Sequence, residues 1–311
     1  MLFVWDGAKY AFVSDILGVG GVGFWVAPET YAPPTPRESF LLPEGLLQPK
    51  GEHYVLKVGE PMEEGCYLDD AVLEVHDLPP GWNLTLDERM HIDGPAPTGD
   101  VVYYRRAVDP VQAVDQDGRD VLAAISTADL KAADVGPVDR RFIGRTQKEQ
   151  TVTLTFAEPL EADAKPVLVT DGWIEYPYAQ TMFAAWQADA TYDAPTVEAR
   201  GTDGTWQVVL KTYGYPAGMP RQSSVPLAGL PPGTKQLRIR TNQEIYWDRL
   251  FVVYAEEPPT MVVHELGLEE ASLDVTGFAL RTTNHQRLPH YDYSRRAPLW
   301  NTRHQDGWYT K

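Results

Sequence analysis

The sequence predicts an all-β protein: an antiparallel β-sandwich or jelly roll, with an N-terminal β segment and an irregular C-terminal tail. Three observations predict it. Turn signals built on Gly, Pro, Asp and Asn recur every 8–12 residues or so, the spacing of short antiparallel strands. Between them apolar and polar residues alternate with period two. Helical patterning is nearly absent, which rules out a doubly wound α/β fold. At 311 residues, 43% hydrophobic and 11% aromatic, the chain has the material for a sizeable core.

In chain order, Leu2–Trp5 and Tyr10–Ser14 read as a hairpin turned at Asp6-Gly7. Gly18-Val19-Gly20-Gly21-Val22-Gly23 is dense in glycine, yet no Lys-Ser/Thr, opening helix or βαβ context makes it a phosphate loop. Residues 28–36 (PETYAPPTP) are extended and polyproline-like. Strand patterns resume over 53–58, 67–70, 72–75, 84–86, 101–105 and 111–114, with Pro79-Pro80-Gly81 and 93–99 as turns or loops. Residues 121–133 are the best helix candidate. Further strands are expected at 152–156 and 167–170, then a short helical or irregular insert over 181–190.

The closing half of the sandwich occupies 195–254. Thr202-Asp203-Gly204 joins strands at 196–199 and 205–210 (TWQVVL). A Gly/Pro loop over 214–220 leads to a brief strand at 224–227. Another turn at 229–233 precedes the last two strands, 235–241 (KQLRIRT) and 245–254 (IYWDRLFVVY). Beyond Pro259 strand-like pieces lie at 261–265 and 271–278, and 288–311 forms a tail rich in Arg, His, Trp and Tyr. These divisions suggest units at 1–50, 51–135, 136–257 and 258–311. The abrupt start and finish predict a chain that continues into flanking domains.

A formal net charge of −17 argues against nucleic acid and anionic membrane surfaces as partners, since both need clustered Lys and Arg. Cys66 is the only cysteine, so no internal disulfide or Cys-based zinc site forms. No stretch reaches the roughly 20 apolar residues that cross a bilayer. The first residues lack a signal peptide's basic and apolar regions.

Surplus carboxylates suit hard cations. In Asp115-Gln116-Asp117-Gly118-Arg119-Asp120, the residues Asp115, Asp117 and Asp120 are candidate ligands for a structural calcium. A hairpin turn is the competing reading, because the EF-hand's terminal Glu and flanking helices are missing. The seven histidines (His53, His76, His91, His264, His285, His290 and His304) make no HxH or HExxH cluster, and no Gly-x-Ser-x-Gly occurs. Asn83-Leu84-Thr85 matches a glycosylation sequon.

Glycoside hydrolysis asks for two carboxylates across an aromatic cleft, and Glu175, Glu244 and Asp248 are its candidates. Glu244 and Asp248 also read as cross-strand ion pairs with Arg238, Arg240 and Arg249. A binding site needs aromatics and polar groups at loop ends, which 171–178 and 213–219 supply. Its candidate residues are Trp173, Glu175, Tyr176, Tyr178, Tyr215 and Arg221, whereas Trp206 and Trp247 belong to the core.

Phe3-Val4-Trp5-Asp6-Gly7, Asp171-Gly172-Trp173-Ile174-Glu175-Tyr176-Pro177 and 240–248 (RTNQEIYWD) together resemble a β-rich bacterial module. That module commonly follows FG-GAP/VCBS propeller repeats in proteins of the cartilage-acidic-protein and ASPIC/UnbV group. The resemblance implies an extracytoplasmic, multidomain setting and transfers no catalytic residue. Residues 150–254, with an Asp-Gly-x-Trp hairpin and a basic final strand, also look like a galactose-binding (discoidin-type) jelly roll. That likeness implies binding of glycans, lipids or proteins, often with structural calcium. The expected function is therefore a non-catalytic recognition or scaffolding module of a larger secreted or cell-surface bacterial protein. A glycan or protein is its partner, and a glycan-active hydrolase or lyase and a structural spacer are the alternatives.

Overall fold

The computed structural model describes residues 1–15, 25–27, 30–31, 38–59, 68, 70–90, 95–216 and 218–298. Strands make up 45% of it and helix 6%, in antiparallel sheets, as an all-β sandwich requires. The glycine-rich run 18–23, Cys66, His91, His304 and the end of the tail lie outside the described residues, as does most of 28–36.

Two five-stranded sheets form the sandwich. The first runs, edge to edge, Arg221–Pro226, Pro166–Ile174, Ile245–Ala255, Val101–Val108 and Asn83–Leu86. The second runs Gln112–Asp115, Arg145–Thr155, Gln236–Gln243, Thr196–Arg200 and Trp206–Leu210. Both sheets draw strands from either side of residue 135, so the expected division between 51–135 and 136–257 does not follow sheet membership.

Period-two alternation places the core. In Arg145–Thr155, Val152 and Leu154 are buried while Thr151, Thr153 and Thr155 are half-buried on the outer face. Leu154, Leu237, Ile239, Val197 and Ala199 meet Leu168, Val225, Leu250 and Val252 of the first sheet in one apolar cluster. The first sheet buries its other face too, around Val167, Val169, Phe251 and Val253. It is curled enough for its edges to touch: Ser224 Oγ donates to Leu86 O at 2.6 Å. The two edge strands touch through side chains without pairing, so the sheet curls but does not close into a barrel.

Trp247 is core, 2% exposed. Trp206 is not. It is half-buried on the outer face of the second sheet, with the Arg238 guanidinium 4.3 Å from its ring. Arg238 and Arg240 both reach the Glu198 carboxylate, at 2.6 and 3.3 Å. Cross-strand ion pairs thus exist, but with Glu198 in place of Glu244 and Asp248.

The helix expected over 121–133 shrinks to one 3₁₀ turn, Leu122–Ile125. Its backbone donors are taken elsewhere: Leu130 and Lys131 N–H bind the Asp248 carboxylate, and Ala133 N–H binds Trp247 O. Pairing with the sheet beats a weakly amphipathic helix. Residues 271–277 are likewise no strand, and the strand begins at Phe278. The tail, in turn, is regular over Pro289–Ala297, which pairs with Phe278–Thr283.

Leu2–Trp5 pairs with Tyr10–Ser14 and Leu56–Val58 in a three-stranded sheet. The expected Asp6-Gly7 turn is present: Asp6 Oδ1 accepts the Ala8 and Lys9 N–H groups, and Gly7 has φ +96°. Phe3, Phe12 and Met1 of this layer pack on Tyr291 and Tyr293 of the C-terminal hairpin. The hairpin's turn docks on the sandwich, where Gln286 exchanges hydrogen bonds with Ala132 and its carbonyl accepts from Trp173 Nε1 at 2.7 Å.

Candidate functional site

The end of the sandwich where Pro166–Ile174 stops and Ile245–Ala255 begins carries the aromatic stretch. Along Pro166–Ile174 the alternation is unbroken: Leu168 and Ile174 face the inter-sheet core, while Val167, Val169 and Trp173 take the other face, where Trp173 stacks on Tyr246 with ring centroids 5.7 Å apart. The bulge opposite Asp171 and Gly172 lies in the facing strand, with Asp248 as its extra residue. Trp173 is 1% exposed and Tyr215 3%, so neither offers a face to a ligand. Both are corrections: large rings at a strand end and beside a backbone bridge fill the interior instead.

After Ile174 the chain is pinned by Glu175 N–H donating to Glu244 O, and Gly144 packs against the same turn. Gly144 has φ +74°, and a Cβ there would collide with the Glu175 carbonyl oxygen. Tyr176 is half-buried, edge-on to Tyr178 at 5.7 Å, and Tyr178 is 55% exposed. Tyr178 is the N-cap of an α-helix, Ala179–Gln187. This helix falls within the insert expected at 181–190.

The helix is closed by a Schellman turn. Ala190 N–H donates to Ala185 O and Asp189 N–H to Trp186 O, with Asp189 at φ +54°. Beyond it, Tyr192 Oη donates to Ile143 O at 2.6 Å, and Asn242 Nδ2 to Thr191 O at 3.0 Å. Ala185 is the buried anchor, with no exposed surface. Met182, Phe183 and Trp186 point outward, 37%, 58% and 70% exposed, and the Phe183 and Trp186 rings lie 5.6 Å apart with 33° between their planes. A short helix held at both ends therefore presents two adjacent rings to solvent.

The hydrolase candidates do not converge on a cleft. Glu244, 2% exposed, accepts from Tyr246 Oη at 2.6 Å and from Arg287 Nε at 3.4 Å. Asp248, also 2% exposed, accepts the Leu130 and Lys131 N–H groups. Burial pushes both carboxyls above their ordinary range despite these donors. Glu175 is half-buried.

The calcium candidates form a hairpin turn. Asp115 Oδ1 accepts the Asp117 and Arg119 N–H groups at 2.8 and 2.9 Å, Asp120 caps Leu122 N–H, and Arg119 bridges to Asp115 and Asp117. Their oxygens serve the loop's own donors and do not face a common point. Among the described residues no group of three His, Cys, Asp or Glu side chains is arranged to hold a metal. No helix among them is long and apolar enough to cross a membrane.

Arg221 pairs with Gly172 across the edge of the first sheet, and its side chain, 4% exposed, lies among Asp15, Glu38 and Phe40. Of the six predicted binding residues, Tyr176 and Tyr178 stand at the helix entry and Glu175 adjoins them. Phe183 and Trp186 escaped the sequence reading. Their signal was present: Ala179, Met182, Phe183 and Trp186 recur at i, i+3, i+4 and i+7 with no charge between them. No family model, curated protein or solved structure matches the chain.

Proposed function

We propose that the chain is a non-catalytic recognition module of a larger secreted or cell-surface bacterial protein, and that it binds a neutral glycan through the Ala179–Gln187 helix. One observation carries this reading: the neighbouring Phe183 and Trp186 rings, more than half exposed on a helix whose ends are fixed. Sugar rings stack their C–H faces on such surfaces, and a rigid support spares the ordering cost of binding. The net charge of −17 disfavours polyanions and leaves neutral polysaccharides unopposed. The resemblance to modules that follow FG-GAP repeats supports the extracytoplasmic setting, with flanking domains as further partners. No calcium and no catalytic residue enter this reading.

Affinity electrophoresis through neutral polysaccharides tests it. Trp186→Ala is expected to weaken retention at least about tenfold, roughly 1.4 kcal/mol. Its melting temperature should barely move, because the ring is largely solvated. Equal retention of wild type and Trp186→Ala in every polysaccharide would refute the site. Consumption of a retained glycan, abolished by Glu175→Gln, would instead mark a glycan-active hydrolase or lyase.

A scaffolding role is the second reading, favoured by one feature. The paired strands Leu73–Asp77 and Val262–Leu266 expose Val262, Val263, Leu266 and Val75, an apolar ribbon suited to a protein partner.

A further inference from the structure

Arg221 opens an edge strand of the first sheet, and carboxylates from three separate segments converge on its buried guanidinium. Asp15 follows the strand Tyr10–Ser14. Arg221 Nη2 donates to its carbonyl oxygen at 3.1 Å and to Oδ1 at 3.4 Å. Glu38 Oε1 accepts from the same Nη2 at 3.1 Å, and the Phe40 ring lies 4.6 Å from the guanidinium carbon. Glu88, 3% exposed, comes from the loop after Asn83–Leu86. Among the described residues its Oε1 has no hydrogen-bond partner, and neither do Arg221 Nε and Nη1, although all three atoms are buried.

The arrangement straddles an interface. Asp15 directly follows a strand of the N-terminal layer and Glu38 comes from the irregular segment between that strand and Leu56–Val58, while Arg221 and Glu88 belong to the sandwich. When ionised, three carboxylates face one guanidinium, and even with the Met1 ammonium counted the site keeps a net negative charge in a largely buried setting. Such an excess is relieved by taking up protons or by moving the layers apart.

We propose that this cluster is a proton-operated latch: the N-terminal layer is held on the sandwich while these carboxyls carry protons, and loosens when all three ionise.

Burial dominates over the attraction of Arg221, pushing Asp15 up to about 6 and Glu38 and Glu88 up to about 7. The other charges around them act in both directions. The Met1 ammonium draws Asp15 and Glu38 down, Asp15 pushes Glu38 up, and Glu38 and Asp87 push Glu88 up. Asp87 is itself paired with Arg89, and a Ser39 N–H reaches the Glu88 carboxylate. From the C-terminal hairpin, Tyr291 faces Asp15 with Arg281 beside it. A carboxyl raised on docking holds its proton more tightly docked than free. Its contribution is therefore complete below the ordinary carboxylate range and is lost as pH rises through 6 to 7.

Hydrogen exchange on the full chain tests the latch. Protection of residues 2–14, corrected for intrinsic rates and referred to Ile245–Ala255, should fall at least tenfold between pH 5.5 and 8. Above pH 7 the fall should approach about tenfold per pH unit for each proton retained. Glu88→Gln, which leaves both N-terminal acids on Arg221, should shrink that dependence, and adding Asp15→Asn and Glu38→Gln should abolish it. Equal protection at the two pH values, or an undiminished dependence in Glu88→Gln, would overturn the proposal.

Discussion

Arg89 and Arg221 are two buried guanidiniums with opposite bookkeeping of charge. Arg89 has no exposed surface, and every arm is used. Nε donates to Tyr213 O at 2.7 Å and Nη1 to Ser224 O at 3.0 Å and to the Asp87 carboxylate, while Nη2 donates to Pro95 O. One carboxylate answers one cation, and Thr98 satisfies the other Asp87 oxygen. Removing one side of such a pair leaves an uncompensated buried charge. Arg89→Met is therefore expected to destabilise the protein by about 3–5 kcal/mol, read as a lower urea midpoint at unchanged slope. Loss of less than about 1 kcal/mol would show that the loop relaxes to let water reach Asp87. Arg221 keeps two donor atoms without partners among the described residues and faces more carboxyls than it can balance, which is why that cluster answers to protons while Arg89 acts as a fixed rivet.

Strands were legible wherever one face is core and the other is not. The period-two runs at 152–156, 205–210 and 235–241 each lie inside an observed strand to within one residue, because burial on one face writes itself into the sequence. Elements decided by distant partners were not legible. Nothing near residue 130 announces that Asp248 will claim its N–H groups, so a helix is expected where the chain makes one 3₁₀ turn and then runs irregularly. Trp173 and Tyr178 share one Gly- and Pro-flanked stretch, yet one is buried and the other exposed. Trp173 is still in its strand, where Ala132, Val135 and Tyr246 cover it from distant parts of the chain, whereas Tyr178 lies past the strand end as the helix N-cap. At the aromatic helix the exposed stripe was readable as a pattern, but not which face would be covered. Its stop carries a testable strain. Asp189 holds the left-handed position of the Schellman turn, where glycine is the unstrained residue. Asp189→Gly should raise stability by about 0.5–1 kcal/mol in chemical denaturation and leave glycan retention intact. A destabilised variant would mean that the Asp189 side chain contributes more than its backbone angle costs.

Across the whole molecule, burial is uneven, and cooperativity should follow it. Ile245–Ala255 pairs on both sides, with Pro166–Ile174 and Val101–Val108, and nearly all of its side chains are buried. The Leu73–Asp77 and Val262–Leu266 ribbon has two strands only, every residue of the second is exposed, and Glu74 sits directly opposite Glu265. A two-stranded ribbon is marginal in water even with His76 set against Tyr103 at 2.9 Å, and facing like charges weaken it further. A cross-strand ion pair, His264 to Asp77 at 3.0 Å, is more than half exposed and adds little. Hydrogen exchange at one pH should then split the chain. Amides of Val262–Leu266 should exchange through local opening, at least about a hundredfold faster relative to intrinsic rates than those of Ile245–Ala255, which open only with the whole sandwich. Dilution decides what any excess protection means. Protection of the ribbon that disappears as protein concentration falls would assign its apolar face to contacts between copies. Protection that survives dilution would defeat the view that this ribbon is a surface left open for a partner.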